Sequence, residues 1–466
     1  MIKDDTIVAI STPIGESAIG IVRMSGDKAL KIADMIFKGK DKALPSKFKT
    51  HTVHYGWIIE KSKVKNQKSK LNQIDEVLLT VMRSPRTYTK EDIVEINCHG
   101  GAMALQRVLE LIVKGGARIA EPGEFTKRAF LNGRIDLSKA EAVLDIIRAK
   151  TDAALKLGVE QLSGGLSQKI KDIRKGLIDI LAQIEASIDF PEEEIKIKNK
   201  KIIKSQLDAI IENLESIIND SQKTKFLRDG IKVTICGRPN VGKSSLLNAL
   251  LKKERAIVTP IAGTTRDVIE EFINIGGVGI RLVDTAGFAK PKNLIDHHAI
   301  RLTKDSIALS DIVLLVFDAS SKLGKKDFDL MRQLENKDVI AVLNKVDLPV
   351  RIQKDKIKNK FKKMISISAL KQINLDKLEK AITHFVYRGK VITPEGLIMT
   401  NARQINLIKD ARDLLKKARN SLIDKLSGEF VTLDLKLGLD SLGKITGEAV
   451  DDAILEKIFS EFCIGK

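Results

Sequence analysis

Gly237-Arg238-Pro239-Asn240-Val241-Gly242-Lys243-Ser244 decides the fold of the middle of this chain. Ile231–Cys236 before it is a compact strand-like run, and Ser245–Leu251 after it has a helical pattern. G-x-x-x-x-G-K-[ST] between a strand and a helix is a P-loop. Its glycines let the backbone wrap phosphates with successive N–H groups aimed at oxygen, and the helix N-terminus adds partial positive charge. Lys243 can reach the outer phosphates and the Ser244 hydroxyl can ligate Mg²⁺, with Asn240, Val241, Gly242 and Ser245 completing the cradle.

Further motifs follow in a fixed order. Gly263-Thr264-Thr265-Arg266-Asp267 lies in a loop before a strand, where a Thr hydroxyl can complete the Mg²⁺ shell, Thr265 being the candidate. Asp284-Thr285-Ala286-Gly287 ends a strand, Ile280–Val283; Asp284 can hold the metal through water, and the Gly287 N–H can meet a γ-phosphate. Ile312–Phe317 and Ile340–Leu343 read as buried strands, the second ending in Asn344-Lys345-Val346-Asp347. Met364–Ile367 is a last strand, closed by Ser368-Ala369-Leu370. Asn-Lys-x-Asp alone is often a surface turn, but after a strand downstream of a P-loop it selects the base. The Asp347 carboxylate can accept the ring N–H and exocyclic amine of guanine, whereas adenine presents a lone pair there. A site built for one hydrogen-bonding pattern rejects the other by roughly 10⁴-fold. These motifs predict a guanine-nucleotide domain that hydrolyses GTP.

The attack on the γ-phosphate departs from the Ras pattern, which places Gln directly after Asp-x-x-Gly. Phe288 stands there instead and cannot orient water. Asn240 has two readings: a turn-favouring residue, or an amide oxygen that ligates a monovalent cation beside the β/γ-phosphates in place of an arginine finger.

Outward from this domain the composition is that of a globular chain, 43% apolar and 30% charged over 466 residues. Its length predicts several domains. Lys and Arg number 80 against 61 Asp and Glu, a formal charge of +19. Charge alone leaves a polyanionic partner and a compositional bias equally open. The three cysteines, Cys98, Cys236 and Cys463, form no C-x-x-C pair, which argues against disulfide or zinc frameworks and fits a reducing cytosol. His51 and His54 lack a ligand cluster and read as solvated strand residues. Met1–Ile10 carries Asp4 and Asp5 and does not read as a signal peptide. No membrane span is expected, because no long apolar run appears.

Residues 1–120 read as an α+β domain. Thr6–Ser11, Gly20–Met24, Thr52–Ile59, Glu76–Met82 and Ile93–Asn97 are predicted strands, and Lys28–Phe37 and Ala102–Lys114 predicted helices. Lys61–Gln73 reads as a polar hairpin loop. Helical stripes follow at Ala142, Val143, Ile146 and Ile147 and at Leu177, Leu181, Ile184 and Ile188; Ile202–Ile218 continues as helix. Helix returns over Thr400–Phe462, with Leu407, Ala411, Leu414 and Leu415 on one face. The economical reading is one helical domain, 121–229 plus 388–466, with the P-loop domain 230–387 inserted; two separate helical domains are the alternative. The fold class is multidomain α/β and α: an N-terminal α+β domain, a helical bundle domain and an inserted Ras-like P-loop α/β domain.

Gly20-Ile-Val-Arg23-Met-Ser-Gly26, Glu91-Asp-Ile-Val-Glu95 with His99-Gly100-Gly101, and Glu121-Pro-Gly-Glu-Phe-Thr-Lys-Arg-Ala-Phe-Leu-Asn-Gly133 resemble N-terminal signatures of the bacterial MnmE (TrmE) family of tRNA-modification GTPases. Ala186-Ser-Ile-Asp-Phe-Pro-Glu-Glu193 and the terminal Phe462-Cys-Ile-Gly-Lys466 match too, so the resemblance spans the chain. It implies a cytoplasmic homodimer paired through the N-terminal domains. With the FAD-dependent partner MnmG (GidA), such a protein places an aminomethyl or carboxymethylaminomethyl group on C5 of the tRNA wobble uridine. It implies a formyl-tetrahydrofolate one-carbon donor, such as 5-formyltetrahydrofolate, contacted by Arg23, Glu95, Arg134 and Lys466, with Arg134 where Lys is common. It implies potassium-driven pairing of the nucleotide domains, with Asn240, Thr259, Ile261 and Thr264 around K⁺, and Thr259, Pro260, Ile261 and Ala262 joining the GTP contacts. The family's catalytic acid aligns with Asp296, where Glu is usual. Cys463 fails as a prenylation box, since Gly465 is not aliphatic and Lys466 is last; a thiol role near the one-carbon site is the expectation, and a docked C-terminal segment the plainer one. Competing functions are a ribosome-assembly GTPase that binds RNA and a membrane-associated signalling GTPase.

Overall fold

A computed structural model describes residues 5–40, 42–61, 71–189, 200–253, 270–284, 307–387, 398–424 and 426–466. The chain divides into two compact units, one of residues 1–144, 162–204 and 414–466, the other of 145–161 and 205–413.

The first unit begins with a seven-stranded sheet. Its strands are β1 (Ile7–Ile10), β2 (Ser17–Ser25), β3 (Phe37–Gly39), β4 (Thr52–Lys61), β5 (Leu71–Met82), β6 (Ile93–Gly100) and β7 (Arg118–Ile119), in the order β3-β4-β5-β6-β2-β1-β7. All pairings are antiparallel except β1 with β7. Alternation sends Val22, Met24, Val77, Leu79, Val94 and Ile96 to one face, where α1 (Ala29–Ile36) and α2 (Ala102–Lys114) cover them. The other face carries Arg23 opposite Glu95 and Tyr55 opposite Leu78. The predicted hairpin is present, with strands running to Lys61 and from Leu71; 62–70 lie outside the described residues.

After the sheet come α3 (Glu124–Leu131), α4 (Leu137–Arg148), α5 (Asp152–Ser163) and α6 (Gly165–Asp189). A half-buried ion network ties α3 to the sheet: Arg128 meets Asp5, Glu91 and Glu124, and Arg118 meets Asp5 and Glu124. Of the predicted stripe on α4, Ile147 turns out to solvent, 41% exposed. His54 stacks on Phe48 at 3.4 Å between centroids, so it is not merely a solvated strand residue, and His51 sits before β4 at φ 58°.

The helix α7 runs Lys200–Asp229, past the end at Ile218 that periodicity suggests, and from Ser205 on it belongs to the second unit, where Leu227 packs with Leu157 of α5 and Met399. The chain therefore enters and leaves the nucleotide domain side by side. Thr400 Oγ1 and Ser221 Oγ lie 2.6 Å apart, and Arg228 pairs with Asp145 at 3.0 Å. Between these ends, β8 (Ile231–Cys236), α8 (Lys243–Lys253), β9 (Glu270–Ile275), β10 (Val278–Asp284), β11 (Ile312–Asp318), α9 (Lys325–Gln333), β12 (Val339–Asn344), α10 (Lys354–Lys358), β13 (Lys363–Ser366) and α11 (Leu375–Tyr387) build a doubly covered sheet. Its order is β13-β12-β11-β8-β10-β9, parallel except for β9. Residues on one side pack with Leu246, Leu250 and Ile382, those on the other with Leu330, Met331 and Ile357. Both faces are buried, which explains the unbroken apolar strands.

The chain ends in α12 (Ala402–Ile423), α13 (Gly428–Thr446) and α14 (Asp452–Ser460). On α12 the buried stripe is Gln404, Ile408, Ala411, Leu415, Ala418 and Leu422. Of the face expected from sequence, Ala411 and Leu415 are in that stripe, and Leu407 and Leu414 flank it half-buried.

Candidate functional site

The P-loop leaves the carboxyl end of β8, between β10 and β11, at the point where the sheet order reverses. Ligands bind at such switch points. Three residues take left-handed backbones there: Gly237 (φ 153°), Asn240 (φ 65°) and Gly242 (φ 96°). A Cβ on Gly237 would meet the Val316 carbonyl at 2.4 Å, and one on Gly242 would meet Asn344 Nδ2 at 2.2 Å. Glycine is required at both because backbone and side chain close onto the loop. Lys243 is buried, its Nζ donating to the carbonyls of Gly237 (3.2 Å) and Arg238 (3.0 Å). Ser244 and Ser245 open α8 and are exposed.

Asn344 joins the loops. It is 2% exposed; its Nδ2 donates to the Val241 carbonyl at 2.9 Å and its Oδ1 accepts from the Ala369 N–H at 2.9 Å. Lys345, at φ 66°, donates from Nζ to the Asn240 carbonyl (2.8 Å) and to Asp318 Oδ2 (2.7 Å). Burial pushes the Asp318 carboxyl up, but hydrogen bonds from Lys345 and Ser320 outweigh it and hold the group below its ordinary value. Asp318 is a site residue that motif reading misses; the signal is an aspartate ending a buried strand. Val346 N–H bonds the Ile367 carbonyl, and the Ser368 Oγ accepts from Lys371 N–H. Asp347 and Leu370 are exposed. A carboxylate is thus presented beside a rigid three-loop frame, open to a base.

Asp284 ends β10, in register with Ile235. Thr259, Pro260, Ile261, Ala262, Gly263, Thr264, Thr265, Thr285, Ala286, Gly287, Phe288 and Asp296 lie outside the described residues.

In the first unit, the Arg23 guanidinium pairs with Glu95 at 2.6 Å and donates to the Gly465 carbonyl at 3.4 Å. Gly465, at φ 93°, lies so close to β1 that a Cβ would meet the Ile10 carbonyl at 2.7 Å. The C-terminal segment thereby brings Lys466 to Arg23 and Glu95. Burial first, and Arg23 second, push the Lys466 ammonium below its ordinary value, with Glu95 opposing. Arg134 is not tied to this trio by a direct contact; it stacks over Tyr88 at 4.7 Å. Cys463 is exposed, whereas burial pushes the thiols of Cys98 and Cys236 up to about 12. Among the described residues no group of His, Cys, Asp and Glu could hold a metal, and no helix is long and apolar enough to cross a membrane.

Fold and site together define a P-loop GTPase domain, in a chain that also carries an N-terminal α+β domain and helices. Residues 6–134 match the family described as GTP-binding protein TrmE N-terminus, and residues 137–463 match that described as MnmE helical domain. Proteins called tRNA modification GTPase MnmE from Lactococcus lactis subsp. cremoris and Thermoanaerobacter pseudethanolicus are 47% and 45% identical, covering 99% of this chain and 98% and 99% of theirs. A crystal structure of Aquifex aeolicus Era is 32% identical, covering 40% of this chain and 66% of its own at a TM-score of 0.29. This chain belongs to the MnmE family of tRNA modification GTPases.

Proposed function

We propose that this protein hydrolyses GTP to drive modification of the tRNA wobble uridine. With the FAD-dependent MnmG, it adds an aminomethyl or carboxymethylaminomethyl group at C5 from a formyl-tetrahydrofolate donor. The observation that carries the reading is the full-length kinship: both ends of the chain match along with the nucleotide domain.

Local chemistry supports the nucleotide and cation parts of this reading. Asn344 holds the P-loop to the loop at Ala369, which preorganises Lys243 for phosphates and Asp347 for guanine. Ser244, exposed at the first turn of α8, suits Mg²⁺, with Asp284 and Thr265 as companions. Asn240 is exposed and its carbonyl is engaged by Lys345, which leaves the amide oxygen for a monovalent cation such as K⁺; Thr259, Ile261 and Thr264 are the partners the family suggests. Such a cation supplies positive charge where the γ-phosphate gains negative charge.

Arg23 and Lys466 place two cations against one carboxylate, Glu95, in a half-buried setting. These donors suit the carboxylates of a ligand such as a folate. Arg134, and a thiol at Cys463, belong to the same proposal. Homodimerisation through the sheet is supported by exposed apolar side chains on the face away from α1 and α2, Ile19, Val53, Tyr55 and Leu78. Action on tRNA in the cytoplasm follows.

The deciding experiment is nucleoside mass spectrometry of tRNA from cells lacking the gene. Loss of C5-modified wobble uridine is expected, and intact modification rules the reading out. GTP turnover in K⁺ against Na⁺ tests the cation separately; equal rates retire that role of Asn240.

A further inference from the structure

We infer that a cavity in the first unit, lined by Arg134, binds a phosphodiester segment of the RNA substrate. The inference rests on the tRNA reading above. The cavity measures about 560 Å³ and is lined by Phe130, Arg134, Ile135, Lys139, Lys171 and Leu455, among others. That volume lies within the roughly 300–1,000 Å³ of ordinary ligand sites.

Its charge is unbalanced. Two acids line it, and both are already engaged. Asp136 Oδ1 caps the start of α4, accepting from the Lys139 N–H at 3.0 Å and the Ser138 hydroxyl at 2.8 Å. Glu448 pairs with Arg174. Among the described residues, Lys139 and Lys171 meet no carboxylate within ion-pair distance. Lys139 lies against Gly164, whose φ of 107° leaves only glycine beside its Cε and Nζ, 3.1 Å from where a Cβ would stand. Lys90 adds a further cation, its Nζ donating to the carbonyl of Gly133 in the cavity wall at 3.2 Å. Arg134 faces both ways, lining the cavity while its guanidinium stacks on Tyr88.

Four cations thus surround a hollow with Phe130, Ile135 and Leu455 in its wall. Cations position phosphates. Arg134 lines this cavity and is itself one of the residues proposed for the one-carbon donor.

The test is tRNA binding by the full-length protein across a salt series, for wild type, for K139Q with K171Q, and for a charge-matched control, K409Q with K417Q, on the exposed side of α12. Each lost phosphate contact lowers the salt slope by about 0.7–0.9 and affinity by roughly fourfold to sixfold at 0.15 M salt. The pocket pair should therefore lose roughly 15- to 30-fold, with a slope shallower by about 1.4–1.8, while the control pair stays within about threefold. Equal losses for both pairs, or none for the pocket pair, overturn the inference while leaving the tRNA reading intact. A wild-type protein that binds no tRNA overturns both. Circular dichroism of the pocket pair identifies misfolding, in which case the conservative K139R with K171R must restore affinity; failure to restore it refutes the assignment.

Discussion

Replacing Asn344 with alanine should uncouple the P-loop from the guanine-recognition loops. The side chain makes two 2.9 Å hydrogen bonds, one to each loop, inside a site where Val241 is 1% and Ala369 5% exposed. Alanine leaves a carbonyl and an N–H buried without partners, at about 1–3 kcal/mol each, so the loss is about 2–6 kcal/mol. Domains have about 5–15 kcal/mol in hand, so the variant folds but is weakened. N344D separates the two bonds. It keeps an acceptor for the Ala369 N–H but turns oxygen toward the Val241 carbonyl. Burial raises the pKa of such a carboxyl, and once protonated it can donate, so N344D should regain stability between about pH 7 and pH 5 while N344A does not. The assay is urea unfolding of the nucleotide-free protein by far-UV circular dichroism, since the single tryptophan, Trp57, lies in the N-terminal sheet. Calorimetric titration with GDP accompanies it and should show at least tenfold weaker binding. An N344A cost below about 1 kcal/mol with GDP affinity within twofold would refute the coupling.

Other outcomes follow from the same chemistry. D347N replaces an acceptor by a donor and should weaken GTP by roughly 100-fold or more while favouring a base with a carbonyl in place of the exocyclic amine; unchanged preference between GTP and xanthosine triphosphate in competition binding speaks against Asp347 as the base reader. D296A should cut GTP turnover and spare GTP binding, and full turnover sinks its catalytic role. In the ion network, burial raises the carboxyls of Asp5 and Glu124, but Arg118 and Arg128 hold both below the ordinary carboxylate values of about 3.9 and 4.3. Their stabilisation is therefore complete above those values and lost as pH falls below about 4.5 and through the folded values. E124Q should flatten the acid limb of a pH–stability curve between about pH 5 and pH 3, and an unaltered limb removes Glu124 from the cause.

The sequence by itself determined the local elements and their chemistry. A P-loop is read from adjacent residues because the strand, the turn and the helix N-terminus that make it are contiguous, and α2 is read to its ends because its apolar spacing is intrinsic to the helix. Periodicity failed where tertiary contacts overrode it, as at the end of α7, where a polar stretch is held by Leu227 and Thr224. Only the tertiary structure decided that Asn344 is the tie between loops, that Asp318 orients Lys345, and that Lys466 reaches Arg23. Those contacts join residues far apart in the chain; Arg23 and Gly465 are separated by 442 positions. No local propensity encodes such a pair, because which two surfaces meet is set by the packing of whole sheets and helices.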